Sequence, residues 1–230
     1  MIPFGGRGLY AILDVDAFRV RGVDVTDPGC CAAIAEVMLR ARPAALQLRA
    51  KTTPPRVTLA LLKMLRPTCT RAGVPLVAND RVDLALLAET DLAHVGQDDL
   101  PFEDAARIAP GLGIGVSTHS LAQLDAALAR APSLAYVALG PVFATVSKEN
   151  PDAVVGLRLL GEGVGRARAH GVPLVAIGGI DLARAGDVAQ AGATCAAAIS
   201  ALVAVRDGKP ELVEIERRAR ELDVALRGVP

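Results

Sequence analysis

Eight short apolar runs rich in β-branched residues, separated by longer stretches with helical spacing, predict an α/β protein built as a single (β/α)8 TIM barrel. Two further observations support that fold. Gly or Pro precedes several of the runs (Gly73-Val74-Pro75, Gly171-Val172-Pro173), where helix-to-strand turns favour them. Polar residues gather just past the ends of the runs, on the face that carries chemistry in barrels. A doubly wound open sheet would usually show a Gly-rich fingerprint after its first strand. Here the first strand leads instead into Asp14-Val15-Asp16-Ala17-Phe18-Arg19.

The elements follow in order. Leu9–Leu13 is the first strand and carries Tyr10. Ala45–Leu48 is the second, and the alternation of Gln47, Arg49 and Lys51 points those side chains into the barrel mouth. A helix over Val57–Arg71 leads to the third strand, Pro75–Ala78, which ends at Asn79 and Asp80. The fourth strand, Leu92–Val95, is followed by Gln97 and Asp99, and the fifth, Gly113–Val116, by Ser117 and His119. Helical spacing over Leu121–Ala131 precedes the sixth strand, Leu134–Leu139, which runs on to Thr145, Ser147 and Lys148. Leu157–His170 reads as a helix, Pro173–Ile177 as the seventh strand, Leu182–Ala191 as a helix and Cys195–Ile199 as the last strand. Two longer segments, Val15–Gly29 and Ala144–Val155, fall on the strand-to-helix side and are expected to be mobile loops over a site. No linker or composition break interrupts residues 1–230, so one domain is expected.

Composition narrows the function. Aromatic residues make up 3% of the chain and Trp is absent, so the core must be Ala, Val, Leu and Ile, which suits a parallel sheet covered on both faces. Lys plus Arg and Asp plus Glu each number 25, without a basic run, which argues against nucleic acid as a partner. Small anionic molecules need only local cations and remain the expected partners. Cys30, Cys31, Cys69 and Cys195 form neither a C-x-x-C pair nor a disulfide framework and read as reduced thiols. Met1–Arg7 lacks a signal-peptide apolar region, and no run reaches the roughly 20 residues of a membrane span. A cytoplasmic protein with no membrane partner is expected, and apolar helix faces leave room for a homo-oligomer.

The strand-end residues converge on anion chemistry. Arg49, Lys51 and Lys148 have no carboxylate partner nearby in sequence, and three cations at strand ends fit a diphosphate. Asp80 and Asp99 lie past adjacent strands, so their carboxylates can share one hard cation such as Mg²⁺. Each alone would read as a helix N-cap; beside the three cations, the metal assignment is favoured. Gly178-Gly179-Ile180 and Ile199-Ser200, past strands seven and eight, form a second anion site of the kind that recurs across barrels. His119 could be a general base, a ligand or a bystander. His94, within a strand, reads as a satisfied core histidine. No Ser, Cys or Lys is poised beside a base, so covalent catalysis has no support.

With those residues in view, the chain from Leu9 to about Leu202 resembles the thiamine phosphate synthase family. The resemblance rests on Gln47-Leu-Arg-Ala-Lys51, Asn79-Asp-Arg-Val-Asp-Leu-Ala-Leu86, His94-Val-Gly-Gln-Asp-Asp99, Gly115-Val-Ser-Thr-His-Ser120 and Gly140-Pro-Val-Phe-Ala-Thr-Val-Ser-Lys148, with weaker support from Ile177-Gly-Gly-Ile180 and Ile199-Ser200. It implies a transferase joining a hydroxymethylpyrimidine diphosphate to a thiazole phosphate. By that resemblance Gln47, Leu48, Arg49, Ala50, Lys51, Asn79 and Lys148 would hold the pyrimidine diphosphate, with Tyr10 nearby, and Ser117 would contact the pyrimidine. Arg49, Lys51, Lys148 and Ser117 would carry catalysis. Asp80 and Asp99 would bind Mg²⁺. Thr145, Val146, Ser147, Gly178, Gly179, Ile199 and Ser200 would hold the thiazole phosphate, and His119 would line the substrate site. Ala144 stands where the family commonly has proline, Leu13 where it often has threonine, and Val15–Gly29 is longer than usual. The alternatives are a thiazole tautomerase using His119, and a non-catalytic barrel that binds thiamine phosphate.

Overall fold

A computed structural model describes residues 3–4, 6–131, 133–145 and 153–228. Eight parallel strands close into a barrel: β1 (Gly8–Asp14), β2 (Ala45–Arg49), β3 (Leu76–Asn79), β4 (Leu92–Val95), β5 (Gly113–Thr118), β6 (Leu134–Leu139), β7 (Leu174–Ile177) and β8 (Cys195–Ala198). Each strand pairs with its sequence neighbour, and β8 returns to β1 in the register Gly8↔Cys195 to Ala11↔Ala198. Closure leaves no exposed edge, so the strand backbones are satisfied within the sheet. The eight strand positions agree with the sequence expectation to within a residue or two.

The helical layer differs from strict alternation. Two helices, α1 (Val15–Arg19) and α2 (Pro28–Leu39), occupy the connection between β1 and β2. The remaining crossovers hold α3 (Pro55–Ala72), α4 (Val82–Leu87), α5 (Phe102–Ile108), α6 (Leu121–Leu128), α7 (Gly156–Ala169) and α8 (Leu182–Gln190). After β8 come a 3-10 turn (Ser200–Leu202), a two-stranded hairpin, β9 (Val205–Arg206) with β10 (Lys209–Pro210), and α9 (Leu212–Arg227). Asp14, Asp27, Ser120 and Asp181 accept backbone N–H groups at the starts of α1, α2, α6 and α8, satisfying donors that a helix start leaves open.

The expectation of a mobile loop over Val15–Gly29 is corrected by this arrangement. Asp14 starts α1, Pro28 starts α2, and Val15, Phe18, Val23 and Val25 between them are buried in the core. Of the second expected loop, residues 146–152 lie outside the described residues.

Period-two alternation divides the sheet into two packed layers. Leu9, Ala11 and Leu13 of β1, with Leu46 and Leu48 of β2, face the helices, where they meet Leu61, Leu65 and Ile34. Each Leu or Ile among them contributes on the order of 1.5–3 kcal/mol by leaving water. Tyr10, Ile12, Val77, Leu92, Tyr136, Val175 and Ala197 fill the interior. Because β8 is Cys-Ala-Ala-Ala, the two tyrosines supply much of the bulk there. Gly115 on β5 makes room for one of them: a Cβ at that position would lie 2.1 Å from Cζ of Tyr136.

Helix α9 packs across α2, α8 and the start of β1. Its Asp223 is buried; Oδ1 accepts the Leu9 N–H at 3.0 Å while Arg227 Nε donates to Oδ2 at 2.6 Å. No helix among the described residues is long and apolar enough to cross a membrane.

Replacing Asp223 with Ala leaves the buried Leu9 N–H without its acceptor and Arg227 without its partner. The expected cost is about 1–3 kcal/mol, visible as a fall of several degrees in thermal denaturation. An unchanged melting temperature would show that α9 does not secure the first strand.

Candidate active site

The C-terminal strand ends surround a cavity of about 400 Å³. Strands β1 and β2 supply Tyr10, Gln47 and Arg49, and the following turn supplies Lys51. Asn79 and Asp80 enter from β3, Asp99 from the loop after β4, and Ser117 and His119 from β5. Thr145, Gly178, Gly179, Ile199 and Ser200 complete the far side. Leu48 and Ala50 are not brought to the cavity: alternation along β2 turns both toward the helical layer. Val146, Ser147 and Lys148 lie outside the described residues.

The cations of β2 have carboxylate partners after all, contributed by neighbouring strands and invisible in a local window of sequence. Arg49 pairs with Asp14, whose other oxygen accepts the Asp16 and Ala17 N–H groups at 3.0 Å each. Asp14 therefore both starts α1 and orients Arg49. Lys51 Nζ lies 3.1 Å from Asp80. Asp16 fixes the turn that carries Lys51 by accepting the Lys51 and Thr52 N–H groups at 3.0 and 3.3 Å. Each of these two cations is thus held against a carboxylate at the rim.

Asp80 adopts a positive φ of 62°, a conformation that Asp and Asn tolerate better than most residues, and its N–H donates to the His94 carbonyl at 2.8 Å. Neither Asp80 nor Asp99 caps a helix: Arg81 and Pro101 hold those positions for α4 and α5. Asp99 instead accepts the Gly96 N–H at 2.7 Å. Burial, reinforced by hydrogen bonding and like charge from Asp99, pushes the Asp80 carboxyl up to about 6; Lys51 opposes the rise. The Asp80 and Asp99 carboxyls lie close enough for their charges to be felt, and together they offer an oxygen donor pair suited to a hard divalent cation.

Opposite them, the β7–α8 turn is shaped by glycine. Gly178 and Gly179 have φ of 97° and 65°, and added Cβ atoms would fall 2.5 Å from Pro141 Cα and from the Ala144 carbonyl oxygen respectively. The loops after β6 and β7 are joined by Val142 N–H donating to Ile177 O at 2.8 Å and Phe143 N–H to Gly178 O at 3.0 Å. Arg184 of α8 donates to the Gly179 carbonyl at 2.7 Å and lies over the Phe143 ring, 5.0 Å from its centroid. The glycines thus let the β6 and β7 loops pack backbone against backbone beside the cavity.

The cavity floor is polar and neutral. Gln47, Tyr10, Tyr136, His94 and Ser117 are linked by hydrogen bonds. Burial pushes both tyrosine hydroxyls up and the His94 imidazole down to about 4, so all three stay uncharged near neutrality. His94 is the satisfied histidine expected from its strand position, yet it also lines the cavity. His119 Nδ1 donates to the Gly140 carbonyl at 2.7 Å, which fixes its proton on that nitrogen. Sequence reasoning missed Asp14 and Tyr136. The available signal for Tyr136 was the rarity of tyrosine, which occurs twice in the chain, each time within a predicted strand.

A closed parallel barrel with ion-paired carboxylates and cations on one rim and a glycine-shaped turn on the other defines a (β/α)8 protein with a polar cavity at its C-terminal face. Residues 23–202 match the family model for thiamine monophosphate synthase. The chain is 40% identical over 206 residues to the thiamine-phosphate synthase of Roseiflexus sp. (strain RS-1), covering 89% of this chain and 82% of that protein. It is 39% identical over 189 residues to that of Methanocella arvoryzae, covering 80% and 87%. Among solved structures, thiamine phosphate pyrophosphorylase from Pyrococcus furiosus superposes with a TM-score of 0.77 at 30% identity, covering 96% of each chain. A phosphogluconate aldolase from Zymomonas mobilis, at 17% identity and a TM-score of 0.68, shares the fold alone. The chain belongs to the thiamine monophosphate synthase family, whose members are transferases.

Asp80→Asn tests the carboxylate pair, since Asn tolerates the same positive φ. The folded protein holds the Asp80 proton more tightly than the unfolded chain, so ionisation costs stability as pH rises from 3.8 through about 6. Without divalent metal, the variant should melt several degrees above the parent at pH 7.5, with the gain fading as pH falls below 6. Added Mg²⁺ should stabilise the parent and not the variant. An equal response of both proteins to Mg²⁺ would remove Asp80 from the metal assignment.

Proposed function

We propose that this cavity performs the Mg²⁺-dependent condensation of 4-amino-2-methyl-5-hydroxymethylpyrimidine diphosphate with 4-methyl-5-hydroxyethylthiazole phosphate, or its carboxylated form, giving thiamine phosphate and diphosphate. The observation that carries the reading is the placement of two polar sets, each suited to an anion, across one cavity. Arg49, Lys51, Asp80 and Asp99 come from the β2–β4 side, while Gly178, Gly179 and Ser200 come from β7 and β8. In an eight-stranded ring β3 stands opposite β7, so the two anionic ends would be held apart with their reactive rings between them.

In this mechanism the bond between the pyrimidine methylene carbon and the diphosphate oxygen breaks, leaving the electron pair on diphosphate. The electron-rich pyrimidine stabilises the resulting carbocation. The thiazole nitrogen, held from the other side by its phosphate, supplies the electron pair for the new carbon–nitrogen bond. Asp80 and Asp99 would hold Mg²⁺, which when bound supplies positive charge to the leaving diphosphate. Arg49 and Lys51 exchange their carboxylate partners for phosphate oxygens, and Lys148 is assigned the same task. Gly178 and Gly179 offer backbone N–H groups to the thiazole phosphate, aided by Thr145, Val146, Ser147, Ile199 and Ser200. Ser117 faces the pyrimidine. Acceleration then comes from electrostatic stabilisation and positioning rather than from an acid–base step, consistent with the neutral floor.

Diphosphate release from the pyrimidine substrate tests the reading. Release should require both thiazole phosphate and Mg²⁺; binding of both substrates without release would defeat it. Ser200→Asp places a like charge at the thiazole phosphate and should raise KM for that substrate about tenfold or more, ~1.4 kcal/mol. Unchanged saturation would remove Ser200 from the phosphate site.

A further inference from the structure

Five side chains form a single line of hydrogen bonds across the cavity floor. Gln47 Nε2 donates to Tyr10 Oη at 3.0 Å, Tyr10 Oη lies 2.8 Å from Tyr136 Oη, and Tyr136 Oη lies 2.9 Å from His94 Nδ1. His94 Nε2 lies 2.8 Å from Ser117 Oγ on the cavity wall, which Gln47, Tyr10 and His94 also line. Gln47, Tyr10, Tyr136 and His94 are all buried, so their polar atoms depend on each other rather than on bulk water. The ring of Tyr136 is held from two sides. Phe4 packs on it with centroids 4.5 Å apart, and His94 stacks at 5.6 Å.

Such a line has a direction. Each hydroxyl carries one proton, and a neutral imidazole carries one. The Gln47 amide nitrogen can only donate, so Tyr10 accepts there and sends its own proton to Tyr136. Tyr136 in turn donates to His94 Nδ1. His94 must then carry its proton on Nε2 and donate it to Ser117 Oγ. The Ser117 proton is left for the cavity.

We propose that this one-way line fixes Ser117 as a hydrogen-bond donor to the bound substrate, with Gln47, Tyr10, Tyr136 and His94 as positioning residues that set its polarity. The site therefore selects a ligand presenting an acceptor lone pair at that point and disfavours one presenting N–H or C–H. The inference rests on the proposed function only for the acceptor's identity, a ring nitrogen of the pyrimidine. Packing alone does not account for the arrangement. Two core tyrosines can satisfy each other, whereas this line continues through both imidazole nitrogens to a serine on the cavity wall.

Reversing the line tests it. In Gln47→Glu the donor becomes a carboxylate that only accepts, so every bond turns round. His94 should move its proton from Nε2 to Nδ1, and Ser117 should present only lone pairs. Nitrogen-15 NMR of the imidazole reads the tautomer in the absence of substrate. The parent should show protonated Nε2 and the variant protonated Nδ1, with KM for the pyrimidine diphosphate rising about tenfold or more. Tyr136→Phe, which cuts the line with little change in shape, should give mixed His94 tautomers and serves if the Glu variant fails to fold. A parent protonated on Nδ1, or a tautomer unmoved in a folded variant, overturns the proposal. A moved tautomer with unchanged KM upholds the line and overturns only the pyrimidine as its acceptor.

Discussion

Closure of eight parallel strands governs everything else in this molecule. Each strand finds both neighbours, so no backbone donor or acceptor remains at an edge to recruit water or another chain. Side chains then alternate between a helical layer and a narrow interior. Polar residues are tolerated in that interior only where they bond one another, as Gln47, the two tyrosines and His94 do. Beyond the strand ends the constraint lifts, and charges from neighbouring strands meet around one cavity.

That meeting explains the electrostatics of the site. Arg49 and Lys51 are partly neutralised by Asp14 and Asp80, and Asp80 in turn crowds Asp99. The rim is thus held together by ion pairs whose partners can be exchanged. In the proposed reaction an anion would take the cations and a hard cation the carboxylates, so binding would substitute one set of charge pairs for another in a site already shaped for it. On the opposite side the cavity wall is shaped by backbone. Glycines at positive φ, held by Arg184 and by the β6 loop, present backbone close to the cavity.

Much of this was legible in the chain itself. The eight strands could be found because each is a short apolar run bounded by turn residues, and most site residues because they sit just past those runs. Other features were not. Val15–Gly29 looked like a loop for want of a long apolar period, yet Asp14 starts a short helix there and Phe18 and Val25 anchor the segment. Leu48 and Ala50 belong to a site motif, but strand alternation turns their side chains outward. Asp14 escaped notice because its partner, Arg49, is thirty-five residues away.

The sequence by itself determined the barrel, the catalytic face and the residue types gathered there, because these follow from local periodicity and from where polar residues interrupt it. Tertiary structure decided which charges pair, which floor side chains bond one another, and that Gly115 admits the Tyr136 ring. The physical reason is distance along the chain. Alternation and turn chemistry act over a few residues, whereas the contacts that tune the site join separate strands, and barrel closure alone sets their spacing.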